Sequence, residues 1–151
     1  MSRSFKVLSY LITLILVISA GYLAWKNSHI INVNKVCFKS ECFKVEIADN
    51  NQERERGLSD RQTLNPDSGM LFIFNQEDRH SFWMQNTQFP LDIIWLDKEK
   101  KVVSIQSGAP TCQIDPCPMY TPDKPGYYVL ELTGGLSSKI GLKVGDKVEF
   151  R

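Results

Sequence analysis

The chain opens on an uninterrupted apolar stretch: residues 7–25 contain no Asp, Glu, Lys or Arg. Wound as a helix at about 1.5 Å per residue, that run spans about 28 Å, close to the roughly 30 Å hydrocarbon layer of a bilayer. Arg3 and Lys6 precede it and Lys26 follows. The positive-inside bias then holds the first residues in the cytoplasm and carries the rest across, with lipid as the partner of residues 7–25. Two fates remain open. A signal anchor stays in the membrane, and Trp25 beside Lys26 suits its outer interface. A signal peptide is cut near Ala20, after the small residues of Ile18-Ser19-Ala20. Either way residues 26–151 are expected outside the cytoplasm, tethered in the first case and secreted or periplasmic in the second.

Beyond a linker over residues 26–32 the pattern changes to short period-two runs broken by turn residues. Strands are predicted over 33–38, 42–48, 70–74, 81–85, 91–97, 101–106, 127–132 and 147–150. Asp49, Asn50 and Asn51 supply capping side chains for a short helix over 52–58 that Gly57 stops, and 136–140 reads as one further helical turn. Asn65-Pro66-Asp67-Ser68-Gly69 is a turn with a mechanism, since Pro presets φ and Asn or Asp bonds nearby backbone. The stretch 107–126 holds Pro110, Pro116, Pro118, Pro122 and Pro125 and reads as a long loop. Such a string predicts one mainly β domain over 33–151: a small β-sandwich or partly closed barrel with one or two short helices.

Charge and cysteine content then narrow the setting. Lys plus Arg number 18 and Asp plus Glu 17, so the chain lacks the positive field that binding a phosphate backbone needs, and nucleic acid is disfavoured as a partner. All four cysteines, Cys37, Cys42, Cys112 and Cys117, lie beyond the apolar run. An even count in an exported domain points to disulfides. The local pairs Cys37–Cys42, across a four-residue hairpin loop, and Cys112–Cys117, around a turn, are favoured. A four-thiolate zinc site fits the spacing but not an oxidising compartment, so no metal or cofactor is assigned.

Longer motifs add a resemblance. Glu53-Arg54-Glu55-Arg56-Gly57-Leu58, Arg61 and Gly69-Met70-Leu71-Phe72-Ile73-Phe74 resemble the front half of the domain of unknown function 192 family. Phe82-Trp83-Met84-Gln85-Asn86-Thr87 with Pro90-Leu91-Asp92-Ile93-Ile94 is similar to its central signature. Tyr128-Val129-Leu130-Glu131-Leu132 and Gly141-Leu142-Lys143-Val144-Gly145-Asp146 are similar to its closing pattern. The likeness covers about residues 43–151. Gln85 stands where Lys is common and Ser59 where Met is common, so a charge-dependent role for that Lys does not carry over. The resemblance implies a mainly β, jelly-roll-like, often exported domain and no assigned activity.

Candidate chemistry concentrates in residues 82–92. Trp83, Asn86 and Thr87 combine an apolar plate with amide and hydroxyl groups, a mixture that suits a small polar ligand such as a sugar or a peptide end. The competing reading buries Trp83 in the core and lets Asn86 and Thr87 bond their own turn. Asp92 interrupts an apolar run and needs a cation or several donors; Arg56 and Arg61 are the expected partners, either lining a ligand site or clipping the helix to the sheet. Glu131 is expected partly exposed on its strand, or paired with Asp92 as general acid and base of a hydrolase. His80, among Glu77, Asp78 and Arg79, is expected in solvent. Three functions follow: a membrane-tethered domain binding a small polar ligand or envelope protein, a hydrolase, or a structural partner in a membrane complex.

Overall fold

The computed structural model describes residues 10–19, 21 and 33–151. The chain divides into two compact units, Met1–Asn32 and Val33–Arg151. In the first, residues 10–19 and 21 are helical, and the Ser19 hydroxyl donates back to the Leu16 carbonyl at 2.9 Å. Among the described residues no helix is long and apolar enough to cross a membrane. The expected span over 7–25 and the linker over 26–32 extend outside the described residues.

The second unit is mainly β. Its strands are β1 (Lys35–Phe38), β2 (Glu41–Ala48), β3 (Ser68–Asp78), β4 (Leu91–Leu96), β5 (Val102–Ala109), β6 (Gly126–Thr133) and β7 (Glu149–Phe150). Its short helices are α1 (Asn51–Arg56) and α2 (Leu136–Lys139). All seven strands form one sheet in the order β5-β4-β6-β3-β2-β1-β7. At one end the two edges meet. The Val102 amide donates to the Asp146 carbonyl at 2.8 Å, Gly145 to Val102 at 2.8 Å, and Val148 to Lys100 at 3.0 Å. The sheet therefore curls into a partly closed barrel, and the two-sheet sandwich is not formed.

Strand alternation sorts the side chains into two cores. Leu71, Ile94, Leu96, Leu130 and Leu132 fill the inside of the curl. Met70, Phe72, Ile93, Trp95 and Val129 lie on the other face under the connecting segments. The β3–β6 seam is so close at Gly69 that an added Cβ would sit 2.5 Å from the Glu131 carbonyl oxygen, so only glycine fits there.

Local sequence accounts for α1. The Asn50 side chain accepts the Glu53 amide at 3.0 Å, and the Glu53 carboxylate accepts the Asp49 amide at 3.2 Å, a reciprocal cap. Gly57 ends the helix at φ 49° with its position for a Cβ 3.4 Å from the Phe72 ring. The helix links β2 to β3, which pair in parallel.

Two expectations are corrected. Residues 81–85 are not a sheet strand. They form isolated bridges, Phe82 to Tyr120 and Gln85 to Cys112, with the proline-rich loop. Their period-two pattern is real, because Met84 is fully buried and Trp83 is not, but it packs a connection onto the sheet rather than extending it. The Cys37–Cys42 hairpin is tighter than expected. Phe38 pairs with Glu41, leaving Lys39 and Ser40 as the turn, with Lys39 at φ 55°. Both local disulfides are formed, Cys37–Cys42 and Cys112–Cys117, and no cysteine is free.

Candidate functional site

On the outer face of β3 and β6 a cleft of about 320 Å³ opens between α1 and the segment after β3. Its aromatic lining comes from Phe72 and Phe74 of β3 and from Phe82 and Trp83 of the following segment. Phe72 and Phe82 meet edge to face at 4.9 Å, and Phe82 meets Trp95 the same way at 6.1 Å. This cluster fixes the wall. Trp83 remains 48% exposed, too open for a core residue.

Glu131 lines the same cleft and is 4% exposed. It sits opposite Met70 on β3 and Ile93 on β4, so strand alternation turns it into the second apolar core. No hydrogen bond or ion pair reaches its carboxyl from the described residues. Burial alone pushes its pKa up to about 8, so at neutral pH the group is a buried acid carrying its proton. Thr87 is also buried at the cleft; its amide bonds the Met84 carbonyl at 3.2 Å, while its hydroxyl has no partner among the described residues.

The charged groups divide into committed and uncommitted. Arg54 donates to the carbonyls of Asp49 at 2.6 Å and Ile73 at 2.7 Å and to the Asn51 side chain at 2.7 Å, and lies over the Phe74 ring. The side chains of Glu55 and Arg56, exposed on the cleft's α1 side, have no hydrogen bond or ion pair among the described residues. His80 is not simply solvated. Its ring stacks on Phe74 at 3.5 Å, held by a bond from Nε2 to the Gln76 carbonyl at 3.1 Å.

Asp92 is no part of this cleft. It points to the inner face with Ile94 and Leu96, opposite Leu132, whereas Glu131 points outward. A general acid–base pair of Asp92 and Glu131 therefore does not form. Nor does Asp92 meet Arg56 or Arg61. Its Oδ1 accepts the Gly108 and Gly135 amides, each at 2.7 Å, and the Ser107 hydroxyl at 3.1 Å. Its Oδ2 accepts the Ser137 amide at 2.6 Å. Burial pushes this carboxyl up, but the bonds from Ser137, Gly135 and Gly108 outweigh it and hold the pKa below the ordinary value. Asp92 thus ties α2 and β5 to β4 through backbone donors, which do the work expected of an arginine. Arg61 instead forms a two-pronged pair with Glu46, which lowers the Glu46 pKa. Asn86 lies outside the cleft at φ 57°, its carbonyl accepting the Asp60 amide at 3.0 Å.

Of the residues singled out in the sequence, the fold brings Arg56, Trp83, Thr87 and Glu131 together and leaves Arg61, Asn86 and Asp92 elsewhere. Phe74, His80 and Met119 were missed. Met119 and His80 lie in connections with no periodic signal, and Phe74 reads as ordinary core.

Comparison with known proteins agrees with this architecture. Residues 34–150 match the family DUF192, described as "Uncharacterized ACR". A UPF0127 protein of Pyrococcus abyssi is 38% identical over 112 residues, covering 71% of this chain and 86% of that one. A crystal structure from Novosphingobium aromaticivorans, described as a protein of unknown function, superposes with a TM-score of 0.69 at 36% identity, covering 76% of this chain and 81% of that one. One from Sinorhizobium meliloti, provisionally described as a transcription regulator, superposes at 0.70 with 30% identity, covering 77% and 90%.

Proposed function

We infer that this chain, which belongs to the DUF192 family, is a membrane-tethered extracytoplasmic domain that takes a small polar ligand into the cleft floored by Glu131. One observation carries the ligand reading: Glu131, a residue only 4% exposed whose carboxyl has no partner among the described residues, lines an open, aromatic-lined cleft. Buried polar groups in native proteins are paired, because leaving one unpaired costs about 1–3 kcal/mol. A ligand that supplies the missing partner recovers that cost on binding. The cleft's size and its mixture of apolar wall with a few polar groups suit a small molecule.

The ligand reading is tested by a thermal-shift screen of small polar compounds, neutral, cationic, anionic and zwitterionic, on the full chain in a nonionic polyoxyethylene detergent. A ligand at a hundred times its Kd stabilises by about 2.7 kcal/mol, a shift of several degrees. We expect a hit whose shift is lost in Trp83→Ala. Hits that ignore this substitution, or no hit in any charge class, refute the cleft as a binding site.

The uncharged run over 7–25, its flanking cations and the two disulfides support the tethered placement. Fusing alkaline phosphatase after Arg151 should give an active enzyme that stays with membranes after an alkaline carbonate wash. An inactive fusion places the domain in the cytoplasm, and an active but washed-off one means the run is no anchor.

A further inference from the structure

The charges at the cleft also specify what kind of ligand it suits, an inference that rests on the cleft being a binding site. Two nearly buried residues of its lining, Glu131 and Thr87, have a carboxyl and a hydroxyl with no hydrogen-bond partner among the described residues, both able to accept hydrogen bonds. Around them the lining is aromatic carbon, from Phe72, Phe82 and Trp83. Exposed on the α1 side stand one anion and one cation with no side-chain hydrogen bond among the described residues, Glu55 and Arg56, the latter also felt electrostatically by Glu46. The remaining cation there, Arg54, is spent on the carbonyls of Asp49 and Ile73.

Each ligand class meets this arrangement differently. A phosphate or sulfate finds one cation, Arg56, already shared with Glu46, and a carboxyl floor. A sugar offers hydroxyls all round to a wall that is mostly carbon. An ammonium group brings three N–H donors and a positive charge, which ring faces attract and which draws the Glu131 carboxyl into its ionised form, its proton passing to solvent as the ligand binds. An apolar stem behind it packs against the aromatic wall. A head carrying both charges then meets Glu55 and Arg56.

We propose that the cleft binds a lysine-like ligand, its side-chain ammonium on Glu131 and Thr87, its methylene stem along Phe82 and Trp83, and its polar head at Glu55 and Arg56. Such a group belongs either to a free diamino acid or to a lysine within a peptide; the chemistry at the floor is the same.

Calorimetry on the full chain, in the same nonionic detergent, tests this with L-lysine, Nα-acetyl-lysine methylamide and norleucine, which keeps the head and stem but lacks the ammonium. At least one lysine compound should bind and norleucine should not at ten times the concentration. Glu131→Gln should weaken binding about thirtyfold, the worth of a charged hydrogen bond, without lowering the melting temperature. Arg56→Gln should weaken free lysine about fivefold and leave the capped compound unchanged. Tighter binding of the free compound identifies a diamino acid, and of the capped one a peptide lysine; both uphold the proposal. Norleucine binding as well as lysine, or lysine binding that ignores Glu131→Gln, overturns it. So does failure of both lysine compounds where a neutral or anionic compound gives a Trp83-dependent shift, which leaves the cleft a binding site for another class. Silence from every class removes both readings.

Discussion

Asp92→Asn should destabilise the domain by about 3 kcal/mol or more, and lower its melting temperature by roughly 10 °C. The side chain is fully buried and accepts four hydrogen bonds, three of them from backbone amides. Asparagine keeps one oxygen, but its NH2 group faces the Ser137 amide, donor against donor, where 2.6 Å now separates donor from acceptor. Charge-assisted bonds of this kind are worth about 1.5–3 kcal/mol each, so losing one and weakening three is severe. The wild type should show the matching acid sensitivity. A carboxyl whose folded pKa lies below its unfolded one contributes stability above the unfolded value and loses it as pH falls through the folded one. Urea titrations of wild type and Asp92→Asn should therefore converge below about pH 4. A variant as stable as wild type at pH 7 would mean that the amides find other acceptors.

Glu131→Gln should do the opposite and stabilise the protein. The wild-type carboxyl titrates near 8 when folded, against an ordinary 4.5. Between those values the folded state holds the proton more tightly than the unfolded state, so stability falls as pH rises through this window. The loss reaches about 3 kcal/mol by pH 7 and about 5 kcal/mol once pH passes 8. Glutamine has nearly the same shape and no charge to desolvate. Urea unfolding should give similar stabilities for the two proteins at pH 4.5 and a widening advantage for the variant at pH 7 and 8.5. A difference independent of pH would show that the carboxyl is solvated or paired. A substitution that strengthens the fold while weakening binding marks a group kept for function.

The contrast between these two acids shows what the sequence carries and what it hides. Alternation along 91–96 and 127–132 places Asp92 with Ile94 and Leu96, and Glu131 with Val129, and the sheet keeps both placements. Their partners are a different matter. The donors to Asp92 come from residues 107–108 and 135–137, where no charged side chain marks them. Backbone N–H groups are common to every non-proline residue, so composition cannot point to them. Glu131 misleads in the reverse sense, since glutamate is rarely buried unpaired and the usual expectation puts it at the surface. Only the joint shape of α1, β3 and the 79–90 connection shows it enclosed yet facing an opening. The local disulfides were legible because each pair sits within one turn, where sequence distance bounds spatial distance. The strand expected over 81–85 failed because buried alternation is also what a segment shows when it pairs with a loop.

The joined ends of the curled sheet bear on how this domain behaves in a crowded compartment. A flat sheet leaves rows of free amides and carbonyls along its outer strands, and a second chain can dock there and start a fibre. Here residues 100–102 and 145–148 satisfy each other, and the final strand is only two residues long. What remains offers a short, twisted template with Lys100, Lys101 and Lys147 beside it. Self-association through added strands is thereby discouraged by the same closure that shapes the inner core.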